Sequence, residues 1–218
     1  MHLVTGDTKV VNRGHGDGVF INTSGVGFVP EGVSLSGANC RPGDKILVSG
    51  TMGDHGITIM ACREELSFQA DIQTDAAPLN HLIADVIAAA PDTRCFRDPT
   101  RGGLSSTLNE LAAQSGVDFI VDEDSVPVKD AVRGACEMLG YDIYQVANEG
   151  KMVCVVAADQ ADAALAAMRA NPYGADAALI GEVVETPADR HPRVSIRTGF
   201  GALRIMDMLV GEQLPRIC

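Results

Sequence analysis

The 218-residue sequence has no apolar run approaching the roughly 18–20 residues that a bilayer-spanning helix needs. Its longest near-apolar stretch, residues 82–91, still contains Asp85. A basic-then-apolar leader is also missing, because Met1-His2-Leu3-Val4 passes straight into Thr5-Gly6-Asp7. Positive charge is scarce: 17 basic side chains stand against 29 acidic ones, giving a net charge of −12 and a pI of about 4.7. That balance argues against non-specific binding to nucleic acid or to an anionic membrane. The six cysteines, at 40, 62, 95, 136, 154 and 218, form no C-x-x-C pair and are too sparse for a disulfide scaffold. The five histidines make no H-x-x-x-H spacing. No internal repeat, low-complexity segment or long linker is visible. The expectation left standing is a soluble cytoplasmic protein with no nucleic-acid or membrane partner.

What is present is enough to build a core. Hydrophobic residues make up 46% of the chain and charged residues 21%, the mixture of a globular protein. The length allows one large or two small domains. Cys62, Cys136 and Cys154 sit among apolar neighbours and read as small buried hydrophobes. Cys218 does not, since it is the last residue and follows Pro215-Arg216-Ile217.

Residues 10–11 and 18–22 are β-branched or aromatic runs separated by glycine-rich turns, and they predict strands. Two or three strands are not stable alone, so this opening segment requires a partner sheet. Beyond the Arg41-Pro42-Gly43-Asp44 turn, residues 45–50 predict a strand. A helix is expected to open at Gly53-Asp54-His55-Gly56 and run to about residue 66. Helical spacing of Leu79, Leu82, Ile83, Val86 and Ile87 predicts a helix over 78–90, and another is expected from about 104 to 114. A strand at 118–121, a helix at 128–139, a strand at 152–157, a helix at 160–169 and strands at 178–184 and 194–197 complete the pattern. The fold class expected is α+β or α/β, with helices packed on a mixed sheet.

Four segments can carry chemistry. In Gly6-Asp7-Thr8-Lys9, glycine permits close backbone approach; Asp7 suits magnesium, Thr8 a phosphate and Lys9 a developing negative charge. An ordinary polar turn accounts for the same four residues. Asp98-Pro99-Thr100-Arg101-Gly102-Gly103 precedes a helix whose N-terminus favours anions, with Arg101 adding a cationic fork. An N-cap by Asp98 or Thr100 followed by packing glycines is the alternative. Glu149, in Ala147-Asn148-Glu149-Gly150 before an apolar strand, is either a general base or a solvated side chain. At Cys218 the thiol shares a residue with the terminal carboxylate, which weakens it as a nucleophile unless cations such as Arg216 compensate. About eight residues from Gly211 onward, if extended, would give that thiol a reach of roughly 25 Å. His55 is the one histidine of interest, more in keeping with a helix start than with a metal ligand.

Five segments occur in a fixed order: Val4-Thr5-Gly6-Asp7-Thr8-Lys9-Val10-Val11, Gly50-Thr51-Met52-Gly53-Asp54-His55-Gly56, Arg97-Asp98-Pro99-Thr100-Arg101-Gly102-Gly103-Leu104, Ala147-Asn148-Glu149-Gly150 and Pro215-Arg216-Ile217-Cys218. Together they resemble the HypE family of hydrogenase maturation proteins, carbamoyl dehydratases within the aminoimidazole ribonucleotide synthetase-like superfamily. The resemblance covers essentially the whole chain, and the terminal cysteine separates it from relatives such as selenophosphate synthetase and thiamine monophosphate kinase.

The resemblance implies that a carbamoyltransferase, HypF, loads a carbamoyl group onto Cys218. ATP would phosphorylate its oxygen, and loss of phosphate with an N–H proton would leave a thiocyanate for transfer to iron on the HypC–HypD complex. It implies Lys9 as the stabiliser of charge on the phosphorylated oxygen and Glu149 as the base. Asp7 and Thr8 would contact nucleotide or magnesium, and Asp98, Thr100, Arg101 and Asn148 would line the nucleotide side. Residues 1–38 would be the last strands of an N-terminal ATP-binding domain, 39–200 a C-terminal domain of aminoimidazole ribonucleotide synthetase type, and 201–218 a helix or turn with a flexible tail. The chain would then be a fragment or truncated homologue that binds MgATP weakly alone, the longer protein being a homodimer. A non-catalytic form that only docks partners, or another ATP-dependent enzyme of the superfamily, are the competing expectations.

Overall fold

The computed structural model describes the chain except residues 1, 3, 9, 15–17, 64–71, 210 and 212–218. It divides into two units, Met1–Val33 and Ser34–Cys218.

The described residues of the first unit form no helix or strand. The strands expected over 10–11 and 18–22 do not form, and Val10, Val19, Phe20 and Ile21 are exposed. The reason lies in the ladder itself: a strand's N–H and C=O groups need a neighbouring strand, and no strand among the described residues pairs with these.

The second unit is a seven-stranded sheet. Its strands are β1 (Lys45–Val48), β2 (Thr93–Arg97), β3 (Asp118–Asp122), β4 (Val153–Val156), β5 (Ala178–Val184), β6 (Val194–Arg197) and β7 (Leu203–Ile205), in the order β2-β4-β1-β5-β3-β6-β7. Every pairing is antiparallel except that of β3 with β6. The helices are α1 (Asp54–Arg63), α2 (Asn80–Ala89), α3 (Gly103–Ser115), α4 (Asp130–Leu139) and α5 (Ala161–Ala170). This is the mixed sheet with packed helices that the alternation predicted. None of the described helices is long and apolar enough to cross a membrane.

Side chains alternate across the central strands, so each strand feeds two cores. Ile46 and Val48 of β1 and Val153 and Val155 of β4 face α3, which contributes Leu104, Leu108 and Leu111 at helical spacing. Leu47, Cys154 and Val156 face the other way, against Leu82 and Val86 of α2 and Ala161, Ala164 and Met168 of α5. A third, smaller cluster joins Ile57 of α1 to Val132, Ala135 and Cys136 of α4 and to Val146. A sheet covered on both faces explains why β1 and β4 read as continuous apolar runs.

One strand was not expected, and two expectations need correction. Residues 93–97 form edge strand β2, which arginines at 94 and 97 disguised; an edge strand has only one neighbour to satisfy and tolerates such charge. The helix or turn expected after residue 200 is instead strand β7, paired with β6. Its side chains are exposed at Leu203, Arg204 and Ile205, so no alternating burial pattern marks it. Cys62 is exposed, not buried, because α1 turns Ile57 and Met60 inward and Cys62 lies on the opposite side of the helix. The helix end expected near residue 66 lies outside the described residues.

Candidate functional site

Three loops meet at one end of the sheet: the turn from β1 into α1, the turn from β2 into α3, and the segment before β4. Asn148, 1% exposed, ties them together. Its Oδ1 accepts the Gly53 N–H at 2.7 Å, and its Nδ2 donates to the carbonyls of Pro99 (3.1 Å) and Val146 (3.0 Å). Its backbone N–H also donates to Pro99 O at 3.1 Å. All four amide hydrogen-bonding positions of a buried Asn are seldom used; here three of them are, each on a different loop or turn.

Glycines make the close approach possible. Gly102 and Gly103 have φ of 68° and 58°, a left-handed pair that turns the chain sharply into α3. A Cβ on Gly103 would stand 2.6 Å from the carbonyl oxygens of Tyr144 and Val146.

On one side of Asn148 lies a buried polar cluster. Asp54, 1% exposed, accepts from Thr51 Oγ1 at 2.5 Å and from Lys129 Nζ at 2.9 Å through Oδ2, while its Oδ1 has no partner. His55 Nδ1 lies 2.8 Å from Thr74 Oγ1, and its buried Nε2 has no partner. Asp75 Oδ1 accepts the N–H groups of Glu149 (2.9 Å) and Gly150 (3.2 Å), and its Oδ2 is buried without a partner. Glu149 Oε1 is likewise buried, and none of these four atoms has a partner among the described residues. A cavity of about 290 Å³ adjoins this cluster, lined in part by Thr51, Asp54, Thr74, Asp75, Lys129 and Lys151. Buried polar atoms without partners cost free energy, and such atoms concentrate where a ligand or proton is handled.

On the other side lies a cavity of about 480 Å³ lined by Arg97, Asp98, Thr100, Arg101, Thr107 and Glu110. Arg97 donates to Asp98 (2.6 Å) and Glu110 (2.8 Å), and Thr100 Oγ1 donates to Asp98 Oδ2 at 2.7 Å. Arg101 is exposed and makes no ion pair among the described residues. It stands just ahead of α3, whose first N–H groups have no partner within the helix.

The segment after β7 runs toward this loop. Asn109 Nδ2 donates to Met206 O at 2.7 Å, Ser105 Oγ donates to Asp207 O, and Leu209 Cβ lies 3.5 Å from where a Cβ of Gly102 would be.

The structure thus gathers Asp98, Thr100, Arg101, Asn148 and Glu149 around one junction. Asp7 and Thr8 belong to the first unit, where Asp7 Oδ1 accepts the Thr8 N–H at 2.8 Å and both side chains are exposed. Lys9 and Cys218 lie outside the described residues. Sequence reasoning missed Asp54, Thr74, Asp75, Lys129 and Lys151. Asp54 lay within a recognised motif, but Thr74 and Asp75 occupy an irregular stretch with no local signal. No group of three or more His, Cys, Asp or Glu among the described residues is arranged to hold a metal.

Cys136 and Cys154 are poor nucleophiles where they are buried. Burial pushes the Cys136 thiol up to about 11 and the Cys154 thiol higher still. Cys40 is also pushed up, through its hydrogen bond with Cys95 at 3.7 Å between sulfurs and through burial.

Residues 41–192 match the profile of the AIR synthase related protein, C-terminal domain. The carbamoyl dehydratase HypE of Azotobacter vinelandii is 57% identical over 216 residues, which is 99% of this chain and 62% of that protein. The chain therefore spans about three fifths of the curated relatives it matches. A solved HypE structure in complex with ATP superposes with a TM-score of 0.80 at 46% identity, covering 84% of this chain and 55% of that one. HypE in a HypE–HypF complex gives 0.78 at 44%, covering 82% and 57%. The resemblance to HypE read from the five motifs is borne out, and through its residues 41–192 the chain belongs to the AIR synthase related family.

Proposed function

We propose that this chain provides the dehydrating half of a hydrogenase maturation enzyme, acting in the cytoplasm on its own S-carbamoylated C-terminal Cys218. The observation that carries the reading is the course of residues 206–209. Asn109 and Ser105 hold that segment by its carbonyls along α3, and Leu209 arrives at Gly102, in the loop whose Pro99 is bonded to Asn148, next to Glu149. The eight residues from Gly211 can span roughly 25 Å if extended, and the cavity lined by Thr100 and Arg101 adjoins the loop where Leu209 arrives.

An amide-type oxygen is a poor leaving group, and transfer of the ATP γ-phosphoryl to it makes a good one. As the oxygen is phosphorylated the nitrogen gives up one proton to solvent, leaving S–C(=NH)–O–phosphate. The C–O bond then breaks, phosphate departs, the second N–H proton goes to Glu149, and the electrons of that N–H bond close the C≡N bond on sulfur. Glu149 fits this task because one of its oxygens is buried with no donor among the described residues. Arg101 and the α3 N-terminus suit the negative charge of a phosphate, and Lys9 the charge on the transferred group. Thr8 would contact the nucleotide. For magnesium, Asp7 offers one exposed carboxylate, in keeping with an ion held mainly by phosphate and water. The HypE–ATP and HypE–HypF structures support ATP as co-substrate and HypF as the carbamoyl donor. Delivery of cyanide to HypC–HypD and homodimer formation complete the proposal.

Mass spectrometry of the C-terminal peptide tests it. With HypF, carbamoyl phosphate and ATP, the peptide is expected to gain one carbamoyl and then lose one water. Glu149→Gln should slow the second step by about 10²–10⁴-fold, so that the carbamoyl form accumulates. Normal dehydration by that variant would remove Glu149 from the role.

A further inference from the structure

We infer that Asp75 is the positioning residue for Glu149, an inference that rests on the reading of Glu149 as the base. Asp75 is 9% exposed, and Oδ1 takes two consecutive backbone N–H groups, those of Glu149 and Gly150. The approach is so close that a Cβ on residue 150 would overlap the Asp75 carbonyl oxygen, which makes glycine obligatory beside the base. Asp75 is itself braced. The preceding Thr74 accepts the Ala76 N–H (3.3 Å) and bonds His55 Nδ1 (2.8 Å), while Gly56, next to His55, donates its N–H to Ala147 O at 3.1 Å. The contacts close a ring, from α1 through Thr74 and Asp75 to Glu149 and back through Ala147 to α1.

An asparagine oxygen can accept the same two N–H groups, so what the position requires is an acceptor at this place. What the two bonds give is a fixed backbone at Glu149. Displacement of a reacting group by about 1 Å costs on the order of 10²-fold in rate, so a base on an otherwise irregular segment needs such an anchor.

The test compares Asp75→Ala, Asp75→Asn and Glu149→Gln in the full-length protein, reading dehydration turnover, KM for ATP, and amide hydrogen exchange at Glu149 and Gly150. Asp75→Ala is expected to lower turnover by about 10–100-fold with KM for ATP and carbamoylation of Cys218 unchanged. Exchange at the two amides should quicken at least about 10-fold, because their acceptor is gone. Asp75→Asn keeps an acceptor oxygen in place and should restore both protection and most of the turnover. If Asp75→Ala does not fold, Asp75→Glu, which keeps the charge and shifts the carboxylate by one methylene, should show the same losses. Wild-type turnover in Asp75→Ala beside a blocked Glu149→Gln overturns the inference and leaves the base assignment standing. Wild-type turnover in Glu149→Gln overturns the base assignment. Unchanged exchange in Asp75→Ala, or an Asp75→Asn as impaired as Asp75→Ala, overturns the positioning role in either case.

Discussion

Around Asp54, Asp75 and Glu149 the chain buries one oxygen of each carboxyl with no donor among the described residues, whereas around Arg97, Asp98 and Glu110 it keeps the charges near solvent and pairs them with one another. The two clusters are separated only by the loops that Asn148 joins. In the first, few side chains can move without breaking a buried hydrogen bond, so geometry is held at a cost in stability. In the second, the pairs are screened and readily exchanged, so an incoming phosphate could displace them at little cost. In the proposed reaction the first side would hold the proton acceptor and the second would receive the phosphate.

The contrast predicts a graded response to mutation. Asn148→Ala should have the largest effect on stability. It removes one acceptor and two donor bonds from a fully buried position, and at about 1–3 kcal/mol for each buried group left unsatisfied it should cost on the order of 3–5 kcal/mol in chemical denaturation. A loss below about 1 kcal/mol would show that the three loops hold one another without it.

An ion pair away from both clusters supplies the middle case. Asp118 accepts from Arg190, Thr186 and the Arg193 N–H; burial opposes its charge, but these donors outweigh burial and hold its carboxyl below the usual 3.8. The folded state therefore favours the charged form more than the unfolded chain does. That stabilisation is complete above about pH 5 and falls away as the pH drops through the usual carboxylate range and below it. Asp118→Asn should flatten the acid limb of stability measured against pH; an unchanged acid limb would refute the role.

Arg97→Ala should have the smallest effect. Its partners are roughly 40–60% exposed, and exposed pairs contribute about 0–1 kcal/mol. A loss above about 2 kcal/mol would mean that the second cluster is as rigid as the first.

Much of the fold was legible because burial on two faces leaves a plain mark in sequence. β4 is apolar throughout and β1 is apolar after Lys45, and α3 repeats leucine at 104, 108 and 111. The elements that escaped, β2 and β7, are the two edge strands, where a strand needs neither alternation nor apolarity to be held by its one neighbour. Of the site, Asp98, Thr100, Arg101, Asn148 and Glu149 were legible because glycines and turn residues surround them. Asp75 and Thr74 were not, since their importance comes from contacts with residues 149 and 55, far away along the chain.

The amino-acid sequence by itself determined the helices and the interior strands of the second unit, the acidic charge balance, and the five motifs that mark the family. Those properties depend on neighbours within a few positions, or on summed composition. Only the tertiary structure decided that Asn148 would bind three loops, that residues 206–209 would end at Gly102, and that Asp75 would hold the Glu149 backbone. Each depends on hydrogen bonds between residues about 50–100 positions apart, which no local periodicity encodes and which form only once the sheet has brought its loops to one end.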